Sequence, residues 1–133
     1  MPAAFLDWID MLGMDAVEIA RIKKIVESDS GKHFLEKVYT PQEIAYCTYK
    51  GVYRYESLAA RFAAKEAVGK ALGTGIMTET DMTHIEVVND AKGKPEIVLY
   101  DKALTLARER NILGFEVSLS HTDTMAYAVC LAK

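Results

Sequence analysis

The chain has 133 residues, 50% of them hydrophobic and 26% charged, with a formal net charge of −3. That length suits one domain with one substantial core, and the composition is ordinary for a soluble globular protein. The acidic balance argues against a general nucleic-acid binder, whose basic footprint would show in the totals.

Met1 to Trp8 reads as a flexible N-terminal extension. Ile9 to Val17 is expected as a strand, and Glu18 to about Ser28 as a helix burying Ile19, Ile22, Ile25 and Val26. Thr40-Pro41-Gln42-Glu43 has the form of a capping box with proline at the first helical position. Its helix should run to about Lys50 and stop at Gly51. A long helix follows from near Ser57 to Gly73, with Leu58, Phe62, Ala63 and Leu72 facing inward. Ile76 to Met82 reads as a loop, and Thr83 to Asn89 with Glu96 to Tyr100 as a hairpin around Gly93. Asp101 should cap a helix to about Arg110 with Leu104 and Ala107 as its apolar stripe. Phe115 to Ser120 and Met125 to Leu131 form a last hairpin, whose alternating Met125, Tyr127, Val129 and Leu131 suit either an interface or the monomer core. Helices between antiparallel hairpins predict a single α+β domain over residues 1–133, an antiparallel sheet with a long central helix.

Cys47 and Cys130 lie far apart in unlike settings, so neither a disulfide framework nor a zinc site is expected. Cys130, in the apolar terminal run, reads as a small buried hydrophobe. No apolar run approaches the ~20 residues of a membrane span. Asp7 and Asp10, with no early lysine or arginine, oppose a targeting peptide. A reducing cytoplasm is the expected setting.

The run Arg61 to Gly75 carries most of the chemistry. Glu66 and Lys70 are four apart and share one face, with Gly69 and Gly73 leaving that strip bare of side chains. A carboxylate and an ammonium on an open groove can hold a hydrated cation and a phosphate together. The same spacing also describes an ordinary surface pair worth ~0.2–0.5 kcal/mol. Asp15, where a strand gives way to irregular backbone, suits a metal carboxylate and equally a helix N-cap. Asn89 to Pro95 is a polar turn with two lysines at its tip, functional or merely solvated. An alternating strand delivers Ser120, His121 and Thr122 to its end, where a lone histidine is usually an ordinary surface residue.

In this order and spacing, Gly13-Met14-Asp15 through Ile22, Arg61 through Gly75, Gly93-Lys94-Pro95 and Val117 through Thr122 resemble the holo-acyl-carrier-protein synthase family, the short type of 4′-phosphopantetheinyl transferase. The resemblance covers nearly the whole chain from about Ile9. Met14 replaces the family's usual aliphatic residue, and Ala60 stands where glycine is frequent.

The resemblance implies a compact α+β trimer with sites at subunit interfaces. It implies transfer of phosphopantetheine from coenzyme A to a serine of an acyl carrier protein, with release of 3′,5′-ADP, in fatty acid biosynthesis. Asp15 and Glu66 match the family's magnesium ligands, and Lys70 its phosphate-facing lysine. Glu66 is the first candidate for the serine proton, with Asp15 through water the second. Arg61 lies about 140° around the helix from Glu66, so it suits the 3′-phosphate at the adenosine end. His121, Thr122, Gly73 and the Gly93-Lys94-Pro95 turn carry over as nucleotide contacts. For Lys65 a structural reading stands beside the functional one: a snorkelling lysine on the helix flank.

Arg21, Lys23 and Lys24 form a basic cluster on the first helix, a solvated face by itself. In the resembled family the position of Arg21 meets the carrier protein, so Arg21 and Lys24 are the expected partner contacts. Two rival readings remain: a magnesium-dependent phosphohydrolase, which gives the later motifs no role, and a catalytically silent coenzyme A binder.

Overall fold

The computed structural model describes residues 11–73 and 81–133. The expected extension at Met1–Trp8, the start of the first strand and most of the Ile76–Met82 loop lie outside them. In chain order the elements are β1 (Leu12–Glu18), α1 (Ile19–Val26), α2 (Gly31–Val38), α3 (Pro41–Tyr46), β2 (Thr48–Tyr49), β3 (Val52–Tyr53), α4 (Tyr55–Ala71), a 3-10 turn (Met82–His84), β4 (Ile85–Asn89), β5 (Pro95–Leu99), α5 (Asp101–Glu109), β6 (Phe115–His121) and β7 (Met125–Ala132). A three-stranded antiparallel sheet has the order β1-β7-β6, and two separate hairpins pair β2 with β3 and β4 with β5.

α4 is buried along its length by small residues: Ala59, Ala60, Ala63, Ala64, Ala67 and Ala71 are all in the core. Small side chains let its backbone lie close to the sheet. β7 answers with Ala126, Ala128, Cys130 and Ala132, all buried and all on one face. The larger Met125, Tyr127, Val129 and Leu131 therefore take the opposite face, which removes them from the monomer core. On the neighbouring β1, Leu12 pairs with Leu131 and Met14 with Val129. Leu12 and Met14 are 55% and 60% exposed, so the sheet presents an apolar outer surface.

The Thr40 cap forms as expected: its hydroxyl accepts from the Glu43 N–H and the Glu43 carboxylate from the Thr40 N–H. The helix it opens ends at Tyr46, short of Lys50, because the chain turns at once into the β2–β3 hairpin. Lys50 and Gly51 hold φ of 50° and 78° at its tip, the left-handed pair a tight two-residue hairpin requires. α2 was not expected at all. α4 starts at Tyr55, two residues early, and Phe62 sits at the core margin stacked on Phe34, their centroids 6.2 Å apart. Asp101 is inside α5 rather than its cap, with φ of 49°, and Tyr100 takes the cap position. α5 buries Ala103 and Ala107 with Leu106 packed beside them, so Leu104 is not its inward residue.

Lys65 is not a snorkelling lysine on the helix flank. It is fully buried, and its ammonium lies 2.6 Å from Glu43 Oε1. It also donates to the carbonyls of Met82 and Ile85. Glu43 Oε2 accepts from the Val87 N–H at 2.9 Å. One ion pair thus ties α3, α4 and the start of β4 together. Burial pushes the Lys65 ammonium below its ordinary value, and the Glu43 carboxylate opposes the shift. Beside it Glu86, also buried, accepts from the Thr40 and Tyr100 hydroxyls. Among the described residues no helix is long and apolar enough to cross a membrane.

Candidate active site

The strand–helix contact between β1 and α4 builds the first cluster. Gly13 faces the helix, and a Cβ there would stand 1.9 Å from the Ala67 carbonyl oxygen. Only glycine permits that approach. Asp15, two residues on, faces the same way and meets the next turn of α4. There Lys70 donates to Asp15 Oδ1 at 3.1 Å and to the Met14 carbonyl at 3.0 Å. Glu66, one turn back and half-buried, completes the group. Burial raises its carboxyl above the ordinary range; the charge of Asp15 raises it further, and Lys70 offsets part of this.

Two carboxylates therefore share a space in which one ammonium only partly balances them. That is an unfavourable arrangement for the acids alone and a favourable one for a divalent cation. Among the described residues no set of three or more histidine, cysteine or acidic side chains could hold a metal. A hard cation that keeps several waters needs fewer: one or two carboxylates and substrate phosphates suffice for magnesium. The donor set fits that ion.

The second cluster lines a hollow of about 450 Å³ near the start of α4, where Arg61, Gly93, Lys94, Pro95 and His121 converge. Arg61 is only 3% exposed. Its Nη2 donates to Asn89 Oδ1 at 2.6 Å, and its guanidinium carbon lies 4.0 Å from the centre of the Tyr46 ring. Its Nε is buried without a hydrogen-bond partner, and no carboxylate pairs with it among the described residues. A buried cation with no counter-charge and a free donor favours an anionic ligand. Asn89 also donates to the Gly93 carbonyl at 3.0 Å, so it joins Arg61 to the turn. Asp90 shapes that turn by accepting from the N–H groups of Lys92 and Lys94.

Of the residues expected at the nucleotide, Lys70 belongs to the first cluster and two others lie elsewhere. Thr122 accepts from the N–H groups of Thr124 and Met125 and so closes the β6–β7 turn. Gly73 ends α4 at φ of 80°, and a Cβ there would lie 2.9 Å from Arg110 Nη1. Gly69 is buried rather than an open strip of groove. Sequence reading missed Tyr46, and it has Asn89 only as the start of a polar turn. Their signal is tertiary, because each is defined by its contact with Arg61. Arg21 and Lys24 are exposed on α1, while the Lys23 ammonium lies 5.7 Å from the centre of the Tyr55 ring.

Both clusters hang on one helix, with Arg61 and Glu66 about 7–8 Å apart along its axis. Residues 11–130 match the 4′-phosphopantetheinyl transferase superfamily. The chain belongs to that family. It is 46% identical over 122 residues to a holo-[acyl-carrier-protein] synthase of Ruminiclostridium cellulolyticum, covering 92% of this chain and 89% of that one. Its fold is similar to the Helicobacter pylori holo-[acyl-carrier-protein] synthase in complex with coenzyme A, with a TM-score of 0.80, 36% identity, and 92% and 100% of the two chains covered. It is also similar to the Bacillus anthracis synthase in complex with CoA (3′,5′-ADP), with a TM-score of 0.73, 32% identity, and 92% and 95% covered. An enzyme of the phosphopantetheinyl transferase class is thus the chemistry that both clusters have to serve.

Proposed function

We propose that the chain, acting as one transferase domain, moves 4′-phosphopantetheine from coenzyme A to a serine hydroxyl of an apo acyl carrier protein. The serine oxygen bonds to the pantetheine-side phosphorus, the phosphoanhydride bond breaks, and 3′,5′-ADP leaves with the electron pair. Asp15 and Glu66 would hold magnesium, which supplies positive charge to the diphosphate. Lys70 offsets charge growing on the leaving oxygen. Glu66, or Asp15 through a water, takes the serine proton. Arg61, Lys94 and His121 face the adenosine end, with Gly93 and Pro95 shaping the turn. Gly73 and Thr122 stand outside that hollow and hold the backbone at the end of α4 and at the β6–β7 turn. Carrier modification of this kind serves fatty acid biosynthesis, and the expected setting is the cytoplasm.

The observation that carries this reading is that α4 joins a two-carboxylate cluster, made with Asp15 of β1, to a buried arginine that no carboxylate pairs among the described residues. Such transfers need positioning and charge stabilisation more than covalent chemistry. A phosphohydrolase would need only the first cluster. Incubation with coenzyme A, magnesium and apo carrier, followed by weighing the carrier, tests it: the carrier should gain one phosphopantetheine. Hydrolysis of coenzyme A without transfer would contradict it.

The active assembly in this reading is a homotrimer, supported by the apolar outer face on which exposed Leu12, Met14 and Val129 and half-buried Leu131 lie together, where a partner copy would rest. Sedimentation equilibrium should give three chains. The carrier would meet Arg21 and Lys24 on α1, since acyl carrier proteins are acidic and the two cations face one way.

A further inference from the structure

Arg61, which lines the hollow, and Arg54, at the start of α4, each keep a buried Nε without a hydrogen-bond partner among the described residues. Both lie over the same ring. The guanidinium carbons of Arg61 and Arg54 are 4.0 Å and 4.8 Å from the centroid of Tyr46. Tyr46 ends α3, is 43% exposed and lines the hollow with Arg61. Arg54, at the cap of α4, also donates to the Tyr46 carbonyl. The ring is therefore anchored to the start of the helix that carries Arg61.

Arg61 is held on its face by this ring and on one edge by Asn89. The Nε–H, buried without a partner among the described residues, and the N–H groups not given to Asn89 remain for a ligand. A guanidinium fixed in this way meets phosphate with two aligned donors and little loss of freedom on binding. Without the ring, the same side chain keeps its charge but not its orientation.

We propose that Tyr46 is a positioning residue that aims Arg61 at the 3′-phosphate of coenzyme A, and so sets the preference for coenzyme A over its 3′-dephospho form. This rests on the reading of Arg61 given above. The ring face does the holding, so the hydroxyl is dispensable.

The test measures kcat and KM with coenzyme A and with 3′-dephospho-coenzyme A for the full chain and for Tyr46→Phe, Tyr46→Leu and Arg61→Gln. Tyr46→Phe should keep the parent preference. Tyr46→Leu should raise KM for coenzyme A about 2- to 30-fold, the range of a guanidinium–ring contact. It should leave KM for the dephospho form and both kcat values unchanged. Arg61→Gln should erase the preference. Each ratio comes from a single preparation, so any unfolded fraction scales both substrates alike. A Tyr46→Leu enzyme that loses equally on both substrates, or on neither, overturns the proposal, as does loss of preference in Tyr46→Phe. If Arg61→Gln keeps the full preference, the assignment of Arg61 itself is wrong, and the Tyr46 role falls with it.

Discussion

Lys70 and Asp15 form the only salt bridge among the described residues that joins α4 to β1, at 3.1 Å with Lys70 more exposed than its partner. An ammonium at that carboxylate and a divalent cation on it carry like charge. The two compete for one acid, so binding the cation should release Lys70 toward the phosphate. Lys70→Met should then lower turnover yet tighten the cation by a few-fold, as titration calorimetry with manganese would measure. Weaker cation binding in that variant would show that Lys70 supports the site instead of competing for it.

Gly13 should be required for both stability and cation binding. The methyl group of Gly13→Ala must push β1 away from the Ala67 carbonyl. Such overpacking costs about 1–3 kcal/mol, and the movement separates Asp15 from Glu66. Thermal unfolding should fall by several degrees while cation affinity drops. A variant that melts lower but binds the cation like the parent would limit Gly13 to packing.

The Lys65–Glu43 pair should behave as a buried pair broken from one side. Lys65→Met leaves a buried carboxylate without its cation and should cost about 3–5 kcal/mol in denaturant unfolding. Adding Glu43→Gln removes that charge and keeps an acceptor for one of the two N–H groups that Glu43 serves, Thr40 on Oε1 or Val87 on Oε2. The double variant should recover part of the loss. No recovery would mean that packing, not charge, sets the penalty.

Carrier docking on α1 should respond to charge. Arg21→Glu with Lys24→Glu should raise KM for the carrier clearly and leave KM for coenzyme A nearly unchanged. Added salt should slow the parent reaction as the Debye length shrinks from about 10 Å at 0.1 M to about 3 Å at 1 M. Damage to coenzyme A binding alone would place the nucleotide, not the carrier, against α1.

The antiparallel pairing, the Thr40 cap and the shared face of Glu66 and Lys70 were readable because each has a local signal: alternation, a box of four residues, a helical repeat. Asp15, on a distant strand, joined that pair only through the family resemblance. α2 was not, since Gly31 opens it and its polar Lys32, His33, Glu36 and Lys37 mask a short apolar stripe of Phe34, Leu35 and Val38. Lys65 looked like a surface lysine because its partner, Glu43, lies in another helix and already served the cap. Tyr46 and Asn89 carry no motif of their own. They acquire meaning only when α3 and β4 close around Arg61.

The central claim is that the Asp15–Glu66 cluster, loaded with a divalent cation, drives transfer of phosphopantetheine to a carrier serine. The most direct test is the intact mass of apo carrier after incubation with coenzyme A and magnesium, using the parent chain, Asp15→Ala, Glu66→Ala and an EDTA-treated sample. The parent should add one phosphopantetheine. Chelation should stop the reaction, and each variant should lose roughly 100-fold or more in rate, the scale of removing a charge-stabilising group from a preorganised site. Parent-level transfer by Glu66→Ala, or after chelation and dialysis, would contradict the account.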